Sequence, residues 1–170
     1  MAYRCLQALT AALAITNLSA ISPLAQEVPN LSGTWTLVPL TKEPHDAGFA
    51  PQGRKFTVVQ DASTITITTT LNFGDSQTKR TYRLDGSETR QSVKTGPKET
   101  SAQTATAKWR DHTLVITTEW TFHKRTVTYL LDKTGGLIVT GSTTLLHKRD
   151  DQLTVSTTGP FTRAYRRDSK

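Results

Sequence analysis

Ser63-Thr64-Ile65-Thr66-Ile67-Thr68 puts two isoleucines on one side of an extended chain and hydroxyls on the other. Side chains alternate across a strand with a period of two, so such a run suits a sheet with one dry face and one wet face. The pattern recurs in Gly33 to Val38, Phe56 to Gln60, Lys79 to Leu84, Ser101 to Trp109 and Thr113 to Trp120. It continues through Arg125 to Leu131, Leu137 to Thr140, Leu153 to Thr157 and Phe161 to Arg166. Threonine supplies 32 of the 170 residues, mostly inside these runs, and β-branched side chains suit a pleated, half-buried surface. Turn chemistry separates the runs, at Asp85-Gly86, Thr95-Gly96-Pro97, Arg110-Asp111, Thr134-Gly135-Gly136 and Gly159-Pro160. No stretch beyond residue 25 has helical periodicity.

The expected fold is therefore all-β, with nine or ten short antiparallel strands joined by tight hairpins. So long a sheet must close on itself or split in two, because exposed edges invite aggregation. A hairpin-connected meander closes most simply into a single antiparallel up-and-down β-barrel of 8–10 strands. A Greek-key sandwich would need longer crossing connections. Only one connection is long: residues 39 to 54, PLTKEPHDAGFAPQGR, hold three prolines and two glycines. Such a loop reads equally well as a lid or binding loop and as a surface excursion.

Residues 1 to 25 carry Arg4, a mostly apolar stretch from Leu6 to Ala14, and small residues before Gln26, the pattern of a secretory signal peptide. The run is short and interrupted by Thr16, Asn17 and Ser19, so no integral membrane span is expected after cleavage. Residues 26 to 170 then form one domain, secreted or periplasmic. The only cysteine, Cys5, falls within the signal. The mature chain thus has no thiol for a disulfide, a metal site or nucleophilic catalysis. Its formal charge of +7 falls to +6 without Arg4, which serves solubility or attracts an anion.

Catalytic signals are lacking. The histidines, His45, His112, His123 and His147, do not pair at metal-ligand spacing, and no Gly-x-Ser-x-Gly occurs. The acidic pairs Asp150-Asp151 and Asp85/Glu88 sit in polar turns. No enzyme, metal or cofactor is expected. Basic residues such as Lys42, Arg54, Lys79, Arg80, Lys124 and Arg125 are scattered without interleaved aromatics, which disfavours nucleic-acid binding.

Leu31-Ser32-Gly33-Thr34-Trp35-Thr36-Leu37 resembles the Gly-x-Trp first-strand motif of the lipocalins and fatty-acid-binding proteins, the calycins. Thr162-Arg163-Ala164-Tyr165 resembles the Thr-Arg-x-Tyr that closes the last strand of fatty-acid-binding proteins. As a whole, residues 31 to 167 are similar to small secreted bacterial lipocalin-like proteins, with a Trp-then-strand hairpin at Trp109 to Thr118 and a terminal Tyr165-Arg166-Arg167. The resemblance implies that Gly33, Trp35 and a late arginine, Arg163, close one end of the barrel. It also offers Arg163 and Tyr165 as a carboxylate grip. Fatty-acid-binding proteins insert two short helices after the first strand, and the Pro- and Gly-rich residues 39 to 54 depart from that pattern.

Parity puts Trp35 and Leu37 inside and Thr34 and Thr36 outside. It groups Phe161, Arg163 and Tyr165 on one face, and Thr162, Ala164 and Arg166 on the other. A buried Arg163 needs a partner, either Trp35 with backbone carbonyls or a ligand anion. The inward candidates are Leu114, Ile116, Thr118 and Trp120 on one strand, and Val127, Tyr129 and Leu131 on the next. The expected function is non-enzymatic binding of a small, mainly apolar or anionic molecule by Arg163, Tyr165, Tyr129, Trp120, Ile116 and Leu114. The alternative is a structural or interaction module of the cell envelope whose barrel is filled by its own side chains.

Overall fold

The structure, a computed structural model, describes residues 28–39, 53–70, 77–94, 100–149 and 152–169. Residues 1 to 25, expected as a signal peptide, and all but the ends of the loop at 39 to 54 lie outside the described residues.

Ten strands follow one another along the chain. They are β1 (Gly33–Leu37), β2 (Lys55–Gln60), β3 (Thr64–Thr70), β4 (Gln77–Arg83) and β5 (Thr89–Lys94), then β6 (Thr100–Arg110), β7 (Thr113–Trp120), β8 (His123–Leu131), β9 (Leu137–Arg149) and β10 (Gln152–Arg167). All neighbours are antiparallel, in the order β4-β3-β2-β1-β10-β9-β8-β7-β6-β5. Each strand lies beside its neighbour in sequence, except that β1 joins β10 and the two edges, β4 and β5, face each other. The result is an all-β, nearly closed antiparallel barrel. The gap is spanned by a bridge between Asp85 and Lys108 and by Gln91 Nε2 donating to the Thr81 carbonyl at 2.7 Å.

Alternation decides what is inside. On β2 and β3, Phe56, Val58, Ile65 and Ile67 are buried while Val59 and the intervening threonines face outward. Leu114 and Ile116 on β7, with Val127 and Tyr129 on β8, are buried as parity predicts, and Leu131 packs against them. On the wet face the threonines pair across strands. Thr66 and Thr81 hydroxyls lie 2.9 Å apart, and those of Thr140 and Thr162 lie 3.1 Å apart. Tight turns use aspartate side chains as acceptors for the backbone, as at Asp61, Asp85 and Asp132. Ser63 and Thr64 both donate to Asp61, which lowers its pKa from 3.8 to about 2.

Two features differ from the sequence expectation. Thr89–Lys94 is a strand although Val93 is its only apolar residue; it is held by its ladder with β6. The two final runs, expected as separate strands, form the single β10. Gly159 and Pro160 are absorbed at a shift of register between Thr158 and Phe161, with Gly159 at φ +105. That left-handed conformation, and a backbone oxygen of Gly141 that a Cβ would meet at 2.8 Å, leave room only for glycine.

Candidate functional site

One end of the barrel is a packed floor. Trp35 on β1 is fully buried, and its indole Nε1 donates to the Leu31 carbonyl at 2.9 Å. The segment before β1 folds beneath it: Leu31 is also fully buried, and its amide donates to Gln60 Oε1 at 3.0 Å. The guanidinium of Arg167 lies 4.7 Å from the centre of the Trp35 ring and donates to the Asn30 carbonyl at 3.1 Å. Gly33, at φ +146, has the Arg167 side chain 3.4 Å from where its Cβ would be. Asp168 fastens the same seam, accepting from Thr36 at 2.7 Å and pairing with Lys55 at 2.9 Å.

The cation of this closure is thus Arg167, where the resemblance implied Arg163. Arg163, Tyr165 and Arg167 share one parity, so alternation alone does not choose among them. The register does: Trp35 pairs with Arg167. Arg163 lies four residues back along β10, about 13 Å at the usual rise of a strand. It is 7% exposed, and its Nη1 donates to the Thr162 carbonyl at 3.0 Å.

Toward the other end the interior turns polar. A cavity of about 40 Å³ is lined by Arg80 and Tyr82 from β4, Gln103 from β6, Ile116, Thr118 and Trp120 from β7, and Arg125, Val127 and Tyr129 from β8. Arg80 and Arg125 thus come from β4 and β8. Burial pushes the Arg125 pKa down and the nearby Arg80 charge adds to that, while the neighbouring tyrosines oppose it. Arg80 also bonds the Tyr82 hydroxyl, yet its Nε is buried with no hydrogen-bond partner. Burial raises the pKa of Tyr82 and, more strongly, of Tyr129, so both phenols stay protonated and able to donate. At the rim, Trp120 stacks on His123 with ring centres 5.3 Å apart, and Phe122 is 57% exposed in the turn between them. His123 Nδ1 is buried without a partner.

Of the residues expected to bind a ligand, Ile116, Trp120 and Tyr129 meet at this cavity. Leu114 belongs to the packed core. Tyr165 is committed elsewhere: its hydroxyl donates to the Gly53 carbonyl at 3.0 Å and its ring meets Phe56 edge-on at 4.9 Å. Arg163 is not among the lining residues. Arg80 and Arg125 do line the cavity, although in the sequence they read only as scattered basic residues. Their parity was the available signal, since Arg80 sits two residues from buried Tyr82 and Arg125 two from buried Val127.

The described lining holds no carboxylate, histidine or thiol, which are the usual groups of proton transfer or metal binding. A hollow of about 80 Å³ on the outer side of β6 and β7 brings Glu88 and Glu119 among threonines, but Glu119 is paired with Lys124 at 2.7 Å. Among the described residues, no group of three or more His, Cys, Asp or Glu could hold a metal ion. Nor is any helix among them long and apolar enough to cross a membrane.

Comparison with known proteins agrees with this architecture. A solved structure, that of a point mutant of the fluorescent protein UnaG, superposes with a TM-score of 0.51 at 16% sequence identity. The match covers 82% of this chain and 97% of that one. At that identity the likeness is one of fold, a nearly closed antiparallel β-barrel. No protein-family model matches the sequence, and no curated protein matches it.

Proposed function

We propose that the barrel is a non-catalytic binder of a small organic anion. The anionic head would enter the cavity between Arg80 and Arg125, and the apolar body would rest at the rim on Trp120 and Phe122. One observation carries this reading: two guanidiniums, from β4 and β8, line one cavity that has no carboxylate in its described lining. Two like charges beside one cavity attract an anion, and Arg80 Nε is a buried donor with no protein acceptor. Protonated phenols of Tyr82 and Tyr129 would add donors. The cavity's roughly 40 Å³ corresponds to about three water-sized positions, room for a head group rather than a chain. With residues 1 to 25 removed as a signal peptide, the protein would act in the periplasm or outside the cell.

The same small volume favours a second reading, a filled barrel that serves as an interaction module of the envelope. Octanoate titration followed by tryptophan fluorescence separates the two. The binder reading expects a saturable change that Arg125→Met abolishes while the circular dichroism of the fold persists. A titration with no saturable change, or one that Arg125→Met leaves intact, would favour the module. For export, the mature N-terminus should lie near Gln26, and recovery of an intact Met1 in the soluble cytoplasm would contradict it.

A further inference from the structure

The hairpin of β9 and β10 runs past its neighbours on both sides. On β9 the ladder with β8 ends at the pairing of Leu145 with His123, extended by Leu146 N donating to the Phe122 carbonyl at 2.8 Å. The ladder with β10 continues further, to the pairing of Arg149 with Gln152. On its other side β10 meets β1 only near its end, where Leu37 pairs with Tyr165 and Val38 N donates to the Ala164 carbonyl at 2.9 Å. Gln152 to Thr158 is therefore a strand with one neighbour, an open edge of the sheet. Thr154 to Pro160 are all exposed, whichever face they stand on, and Val155 is 58% exposed.

The ladder fixes which backbone groups that edge offers. Residues directly opposite in an antiparallel pair either exchange both hydrogen bonds or neither. Leu146 turns its amide to β8, so Val155, its opposite number, turns its own N–H and C=O away from β9. By alternation Leu153 and Thr157 do the same. Among the described residues, none donates to or accepts from these groups. Natural sheet edges are blunted by charges or proline. The edges β4 and β5, which face each other across the gap, carry Lys79, Arg80, Arg83, Arg90 and Lys94. Gln152 to Thr158 contains neither a charge nor a proline.

We infer that this edge pairs with the same edge of a second copy of the chain, antiparallel about a two-fold axis at Val155. In that register Val155 faces Val155 of the second copy, Leu153 faces its Thr157, and Thr157 faces its Leu153. Each pair exchanges both N–H···O bonds, because the outward residues of one copy meet the outward residues of the other. The exposed valines cover each other across the axis. Charge favours a second copy at this place: chains of formal charge +7 repel one another, and this seam holds no charged residue. A foreign peptide added to a sheet edge is read through pockets for its alternate side chains, and neither cavity described above includes a residue of β10. Seven residues a side, Gln152 to Thr158, fall well short of the about 20–30 a side of a stable interface, so the dimer is weak and reversible. The inference stands whether or not the cavity takes an anion.

Sedimentation velocity of the protein in about 0.15 M salt should show the mass rising from monomer toward dimer between about 5 and about 500 μM. Val155→Pro removes an outward N–H without costing a bond to β9, and Val155→Lys sets two ammonium groups opposite each other at the axis. Each should keep the circular dichroism of the fold and weaken dimerisation about tenfold or more. Val155→Glu alone should do the same. An equimolar mixture of Val155→Lys and Val155→Glu should dimerise again, because opposite charges then face each other across the axis. A wild-type protein that stays monomeric at every concentration would overturn the inference, whether the edge is then covered by residues 40 to 52 of the same chain or by a foreign strand. A dimer that Val155→Pro and Val155→Lys leave intact would overturn it as well. So would a mixture of the lysine and glutamate variants that stays monomeric.

Discussion

At the floor of the barrel, the Trp35 indole and the Arg167 guanidinium each donate to a backbone carbonyl, and Leu31 and Gln60 hold the segment beneath them. At the mouth, Arg80 Nε and His123 Nδ1 are buried with no partner, and two arginines share one cavity. Buried groups left unpartnered away from the mouth, such as Trp109 Nε1, are neutral, whereas Arg80 carries a charge. Both ends belong to the same barrel and obey the same alternation, so the difference lies in which residues stand at inward positions. Satisfied polar groups around a large apolar ring make a structural plug. Unsatisfied donors and like charges make a site that is stable only because the rest of the molecule holds it.

Substitutions at the two ends should therefore have opposite consequences. The largest effect belongs to the floor: Trp35→Ala should lower the unfolding free energy by about 3–5 kcal/mol in urea denaturation, with the mutant melting well below the wild type. At the mouth, Arg80→Met should leave stability unchanged or raise it by about 1–2 kcal/mol, since it removes a charged group whose Nε is buried without a partner. A loss comparable to that of Trp35→Ala would erase the distinction between the ends. Arg167→Ala, which removes an exposed stacking cation and one hydrogen bond, should cost about 0.5–1 kcal/mol.

The smallest effect concerns the turns that set both ends. The folded pKa of Asp61 is depressed to about 2, so its stabilisation is fully present above its ordinary value of 3.8. It is lost as the pH falls through about 2. Asp61→Asn should flatten the acid limb of the stability profile in that window by lowering stability at neutral pH, while stability below about pH 2 changes little. In the alkaline direction the sign reverses. The pKa of Tyr129 is raised well above 10.0 in the fold, so absorbance titration should show a phenol still protonated when exposed tyrosines have ionised. Stability should fall once the pH passes the ordinary tyrosine value, because the unfolded chain then releases that proton more readily.

The same contrast explains what the sequence made legible. Period two shows the strands because a sheet with one dry face forces it, and it placed Ile116, Thr118 and Trp120 of β7 and Val127 and Tyr129 of β8 correctly. It could not show β5, whose Thr89–Lys94 has almost no apolar side to alternate. The closing arginine was misplaced because Arg163 and Arg167 share a face, and only the pairing of β1 with β10 distinguishes them. Arg80 and Arg125 went unread for a related reason. A pattern that equates inward with apolar assigns every charge to the surface, and so passes over inward charges, which are the ones that mark a site.

The central claim is that an anion belongs between Arg80 and Arg125. Its most direct measurement is anomalous diffraction from crystals of the protein soaked in selenate, a tetrahedral dianion whose selenium is visible by itself. The account predicts an anomalous peak inside the barrel, within hydrogen-bonding reach of both guanidiniums, that disappears in Arg80→Gln crystals grown and soaked alike. An empty cavity, with selenate found only on the outer face beside residues such as Arg166, would contradict it.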